Sequence, residues 1–147
     1  MEGIQRRKHK YGLAMARNLG VIEASGEILM FLDSRFVPEP DTIEEFMREL
    51  VEDKVWLFGD KGAGKKSFVE NFSMIRRKDF ILAGMCNERI NRYGGMSQEL
   101  RTRFGSQGFK FVYVPKAKAR EIKTAEKLST KRKSIIKMKD LLYKLYL

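Results

Sequence analysis

The stretch GEILMFLDSRFVPEPDTIEEFMRELVED, Gly26 to Asp53, decides how the rest of the chain is read. Five apolar residues, Ile28 to Leu32, stand between Glu27 and Asp33. A run this short reads as a buried strand, and it carries Asp33 to the strand's C-terminal edge. Pro38 and Pro40 then stop the strand, Asp41 is placed to cap a helix with Glu44 three positions on, and Ile43, Phe46, Met47 and Leu50 supply one apolar stripe. Further strands are expected at VWLF (Val55 to Phe58), at FSMIRR (Phe72 to Arg77) and at FKFVYVP, ended by Pro115. Helices are expected over Arg6 to Leu19, ending at Gly20, over RKDFILAG, closed by Gly84, and over SQELRTRFGSQG (Ser97 to Gly108). Strands alternating with helices predict an α/β domain.

The 147 residues, 43% of them hydrophobic and 11% aromatic, suffice for one domain with its own core. The expected division is a domain over residues 1–115 and a tail over 116–147. Cys86 is the only cysteine, so no internal disulfide forms, and its neighbours in LAGMCNE make it a small buried hydrophobe. His9 is the only histidine, which argues against zinc or Ser-His chemistry. No window approaches a membrane-spanning length, so the expected place is the cytoplasm or the periphery of a membrane.

The net charge of +11 is concentrated at one end. From Lys116 to Leu147, eleven Lys and Arg face three acids, a net +8. KSIIKMKDLLYKLYL sets Ile135, Met138, Leu142 and Leu145 at helical spacing among lysines, the pattern of a basic amphipathic helix. Such a helix docks on a core or lies in a membrane surface with the same residue chemistry. With no recognition motif or aromatic platform, charge alone is a poor case for nucleic acid.

KVWLFGDKGAGKKSFVE, Lys54 to Glu70, resembles a phosphate-binding P-loop only in outline. Gly59, Gly64 and Lys65 fit G-x-x-x-x-G-K-[ST], but Lys66 stands where the magnesium-binding hydroxyl belongs and Ser67 comes one residue late. No later strand ends in an acid for the metal either. A basic surface loop between two strands is the better reading.

ARNLGVIEASGEILMFLDSRFVPEPDTIEEF, Ala16 to Phe46, resembles family 2 glycosyltransferases, in which an Ala-Arg-Asn-x-Gly helix end precedes Ala-x-Gly-Glu, an apolar strand and an Asp-x-Asp motif. FSMIRRKDFILAGMCNERINRYGGMSQELRTRFGSQGFKFVYVP, Phe72 to Pro115, is similar to the same family's acceptor-side segment, through a strand ending in Arg, Asp-Phe-x-x-x-Gly, an Asn-Glu pair, Tyr-Gly-Gly and Glu-Leu-x-x-Arg. The resemblance implies a GT-A-like fold, a mixed sheet flanked by helices, that moves a sugar from a UDP- or GDP-linked donor to a hydroxyl of a glycan, lipid or protein acceptor. Charge on the leaving diphosphate is then met by a divalent metal, Mn2+ or Mg2+, on carboxylate oxygen, and a carboxylate takes the acceptor's proton.

On the matching positions, Asp33 is the first acid of Asp-x-Asp and the expected metal or ribose contact, with Arg17 and Asn18 near the nucleotide. Arg35 replaces the second acid. A guanidinium binds no cation, so it either pairs with the diphosphate directly, making transfer metal-independent, or marks an inactive site. On the acceptor side Met96 and Ser97 stand where the family has Glu-Asp. Ser97 and Glu99 are the expected catalytic residues there, although on a helix Glu99 points about 200° from Ser97. The match also begins after the family's first strands, which reads as a truncated or reduced relative whose open sheet edges favour a homo-oligomer. The alternative function is a non-catalytic module whose basic tail contacts an anionic partner or a membrane surface.

Overall fold

A computed structural model of the chain describes residues 12–62, 66–90 and 93–122. Strands β1 (Ile28–Leu32), β2 (Phe36–Pro38), β3 (Val55–Asp60), β4 (Phe72–Arg76) and β5 (Lys110–Glu121) form one sheet in the order β1-β4-β3-β5-β2. The β3–β5 pair is parallel, and β1–β4, β3–β4 and β2–β5 are antiparallel. Consequently β1, β3 and β5 all end on the same side of the sheet. The residues that follow β1 and the start of β4 meet there, and this is the side where α/β sheets hold their ligands.

Helices α1 (Leu13–Glu23), α2 (Thr42–Glu49), α3 (Arg77–Leu82) and α4 (Met96–Ser106) complete the described elements. Alternation along β3 sorts the core into two layers. Val55 and Leu57 pack with Phe46, Leu50 and Phe72 on the α2 face, while Trp56 and Phe58 pack with Phe31, Phe80, Leu100 and Phe104 on the other. Trp56 is wholly buried, within about 6 Å of five phenylalanine rings, those of Phe31, Phe68, Phe80, Phe104 and Phe111. Its indole N–H donates to Ser73 Oγ at 3.0 Å, and that hydroxyl donates to the Glu70 carbonyl at 2.7 Å. The centre of the core thereby fixes the backbone at Glu70.

Three expectations are corrected. Pro115 does not end its strand, which continues to Glu121 by changing partners: 110–114 pair with β3, a register shift follows between Gly59 and Asp60, and 119–121 pair with β2. Pro115 falls in that irregularity, where no ladder donor is required. Residues 116–121, expected at the head of a helical tail, are therefore strand. Second, the strand expected to run until Pro38 and Pro40 stops already at Leu32, and Phe36–Pro38 forms a separate edge strand, β2. Third, Gly20 does not end α1, which runs to Glu23 because Val21 is buried in the core beyond it. The expected amphipathic helix and the first part of the Arg6-to-Leu19 helix lie outside the described residues. Among the described residues nothing pairs with the outer edge of β1.

At Gly59 the chains approach closely, since a Cβ there would lie 2.3 Å from Phe72 Cε1 and 2.6 Å from the Ala117 carbonyl oxygen. The loop after β3 leads through Lys66 and Ser67 into β4, not into a helix. A P-loop passes its phosphate to a helix N-terminus, and the described residues of this loop form none.

Candidate active site

Asp33 follows β1 directly, and its N–H donates to the Asn71 carbonyl at 3.1 Å, tying the end of β1 to the start of β4. A turn closed by Phe36 N–H on the Asp33 carbonyl, at 2.9 Å, sets Arg35 on the same rim. Arg17 reaches this point from α1. Its guanidinium lies 2.5 Å from Glu70 Oε1 and 3.1 Å from Asp33 Oδ1, so one side chain clamps the residues flanking β1 and β4. The other Glu70 oxygen accepts from the Ser97 hydroxyl, at the start of α4. Gly94 and Gly95 make this possible, with φ of 102° and 80°, because only glycine turns the chain so sharply into a helix at little cost.

A second layer of contacts holds Asp33 from the far side. Asn71 Nδ2 donates to Asp33 Oδ2 at 3.2 Å and Lys61 Nζ donates to Asn71 Oδ1 at 2.8 Å. Arg35 lies 3.8 Å from Asp33 Oδ2 and 3.8 Å from Glu121 Oε1. The side chains of Glu70 and Arg17 are 7% and 9% exposed, those of Asp33 and Arg35 31% and 41%. The first pair is therefore frame, and the second faces whatever enters. Burial disfavours the Arg17 charge, but the Glu70 and Asp33 carboxylates outweigh it and raise the pKa above the ordinary arginine value. Burial lowers the pKa of Lys61, helped by the Arg35 charge and opposed by Glu70, Asp33 and Glu121. A cleft of about 820 Å3 opens between α1 and β1, lined by Arg17, Asp33, Ser34, Arg35 and Tyr93 among others. That is the size range of small-molecule sites.

Residues 4–115 match the family described as Glycosyl transferase family 2. The chain belongs to glycosyl transferase family 2. Solved structures agree on its GT-A fold. GalNAc-T7, in a crystal structure with UDP, GalNAc and Mn2+, superposes with a TM-score of 0.68 at 16% identity, over 82% of this chain and 32% of that one. The catalytic domain of Drosophila beta1,4galactosyltransferase 7, in complex with xylobiose, gives a TM-score of 0.64 at 15% identity, over 87% of this chain and 60% of that one. This chain thus spans only part of either relative. No curated protein is matched by the chain.

Within this family 2 domain, Arg17, Asp33, Arg35 and Ser97 come together at one end of the sheet. Asn18 and Glu99 do not join them. The Asn18 amide is spent on the loop before Tyr-Gly-Gly, donating to the Cys86 carbonyl and to Glu88 Oε1 and accepting from Cys86 N–H, each at 2.9 Å. Glu99, 2% exposed, lies 2.6 Å from Arg103 Nε in an ion pair along α4, and Arg103 in turn donates to the Ala83 and Met85 carbonyls. Glu70 and Lys61 escaped the sequence reading. Lys61 opens a Gly- and Lys-rich loop that reads as a solvated surface, and Glu70 is an isolated acid before a strand. Only the pairing of β4 with β1 shows that it is buried beside Arg17.

Asp33 is the carboxylate here that a divalent metal bound to a diphosphate would use, and each of its oxygens already faces a cation or an amide donor.

Proposed function

We propose that this domain transfers a sugar from a nucleoside diphosphate to an acceptor hydroxyl, and that fixed cations do the work a metal does elsewhere in the family. The observation that carries this reading is the surrounding of Asp33: Arg17 on one oxygen, Asn71 and Arg35 on the other, and Lys61 behind Asn71. A diphosphate entering the cleft meets the guanidinium of Arg35, which is far more exposed than that of Arg17 and whose planar fork suits two phosphate oxygens. Asp33 orients Arg35 and faces the nucleoside. Charge on the leaving diphosphate is then met by donors already in place, which need no reorganisation as the glycosidic bond breaks.

On the acceptor side, Ser97 and Glu70 act as one unit. The Ser97 hydroxyl is too weak a base to take a proton alone, but it already donates to a carboxylate oxygen of Glu70. An acceptor hydroxyl presented to Ser97 passes its proton through that hydroxyl to Glu70 as the acceptor oxygen attacks the sugar carbon. Arg17 holds the carboxylate in register.

The test is a binding panel of UDP, GDP, their hexose derivatives and ATP, each with Mn2+ and with EDTA, read by isothermal titration and by thermal shift. One nucleoside diphosphate is expected to bind equally with and without metal, and to raise the melting midpoint by mass action. Binding that disappears in EDTA sinks the metal-free reading. Absence of binding by any diphosphate leaves the non-catalytic module as the better account.

A further inference from the structure

The outer half of β5 carries a row of cations that the donor site does not use. Lys116, Lys118 and Arg120 are exposed and alternate with Ala117 and Ala119, which are buried against the α2 layer. Alternation along a strand places all three on one face, about 6.6 Å apart. Tyr113, which packs against the Trp56 layer, lies on that same side of the sheet before the irregularity, and the Lys66 ammonium sits 5.9 Å from its ring centre. Three other surface cations are neutralised locally: Arg48 by Glu45, Lys78 by Asp53, Lys110 by Glu52. Lys116, Lys118 and Arg120 have no ion-pair partner among the described residues. Three uncompensated charges therefore stand together on one strand, while Arg89 and Arg101, equally without an ion pair among the described residues, lie on other elements.

Its position relates it to the site. Lys118 is the ladder partner of Asp60, the residue before Lys61, and Arg120 is the partner of Val37, two residues after Arg35. The row thus lies one strand spacing, about 5 Å, from Asp60 and Val37, the sequence neighbours of Lys61 and Arg35. A cation row by itself attracts any polyanion. The continuing sequence narrows the choice: residues 123–147 carry seven Lys and one Arg against two acids, with Ile135, Met138, Leu142 and Leu145 recurring at helical spacing. Free polyanions have no use for such an apolar series, whereas an anionic bilayer uses both parts, headgroups for the cations and the acyl boundary for the apolar side chains.

We propose that the face bearing Lys66, Lys116, Lys118 and Arg120 is a membrane-docking surface for anionic phospholipid headgroups, which sets the mouth of the Asp33 site beside the bilayer. Flotation of the full chain with vesicles tests it, using phosphatidylcholine alone and phosphatidylcholine mixed with phosphatidylserine. The chain is expected to float only with the anionic vesicles, and less as salt is added. Replacing the row together, Lys116→Gln, Lys118→Gln and Arg120→Gln, is expected to weaken partitioning about a hundredfold, since each cation at an anionic surface contributes about fivefold. The charge-preserving set Lys116→Arg, Lys118→Arg and Arg120→Lys is expected to bind as the parent does, and so is Lys78→Gln with Lys110→Gln. Hydrogen exchange on the parent is expected to slow over residues 116–122 when anionic vesicles are added. Parental binding by the Gln triple variant, equal binding to neutral vesicles, an equal loss per charge in the Lys78 and Lys110 variant, or preference for an RNA homopolymer over vesicles would each overturn the inference. Vesicle binding requires no donor and donor binding requires no vesicle, so this reading and the transfer reading fail separately.

Discussion

Arg17→Ala removes the side chain that joins the two halves of the site. Glu70, 7% exposed, would keep only the Ser97 hydroxyl, because Arg17 is the one cation within ion-pair distance of it among the described residues. Asp33 would suffer less, since Asn71 and Arg35 remain and its side chain reaches solvent. Breaking a buried pair from one side costs about 3–5 kcal/mol, mostly from the charge left behind. For a chain of this size that is a fall in Tm of roughly 10–15 °C. Thermal and urea denaturation followed by circular dichroism measure it. The decisive comparison is Arg17→Ala combined with Glu70→Gln, which removes both charges and is expected to recover about 1–3 kcal/mol of the loss as coupling energy. A loss below about 1 kcal/mol for Arg17→Ala, or strictly additive effects in the double variant, would show that the pair is not the brace described here.

Arg35→Asp rebuilds the family's two-acid motif and removes the charge-assisted contact proposed for the diphosphate. Titration in EDTA is expected to give roughly 10- to 100-fold weaker nucleotide binding, with Mn2+ restoring part of it; unchanged affinity in EDTA would remove Arg35 from the donor site. Glu99→Gln is expected to lower Tm by loosening Arg103 while leaving the KM and kcat of transfer near the parent's, whereas Glu70→Gln lowers kcat; the reverse pattern would return the base to Glu99. Gly59→Ala drives a Cβ into Phe72 and the Ala117 carbonyl, and about 1–3 kcal/mol of lost stability should appear in urea melts. Burial raises the Cys86 pKa to about 12, so the folded protein keeps the thiol protonated through pH 9 while the unfolded chain begins to lose the proton near that pH. Iodoacetamide labelling at pH 9 is expected to be slow in buffer and fast in urea, and stability to fall as pH rises from 9 towards 12.

Local pattern was enough to announce most of the elements and the family. The apolar run before Asp33, the glycines before Met96 and the alternation of strand and helix all act over a few residues, and such signals are written in sequence. Charge was legible too, since a net +8 in the last 32 residues needs no coordinates. What depended on distant partners was not. Whether Pro115 ends a strand depends on Gly59 and on β2, which takes over the pairing beyond it. Whether Glu99 faces a ligand or Arg103 depends on where α4 rests against the Ala83 and Met85 carbonyls. Glu70 is 53 residues from Arg17 and 27 from Ser97, and carries no local mark of burial. A side chain's role in this site is set by its electrostatic neighbours, and only the folded sheet chooses them.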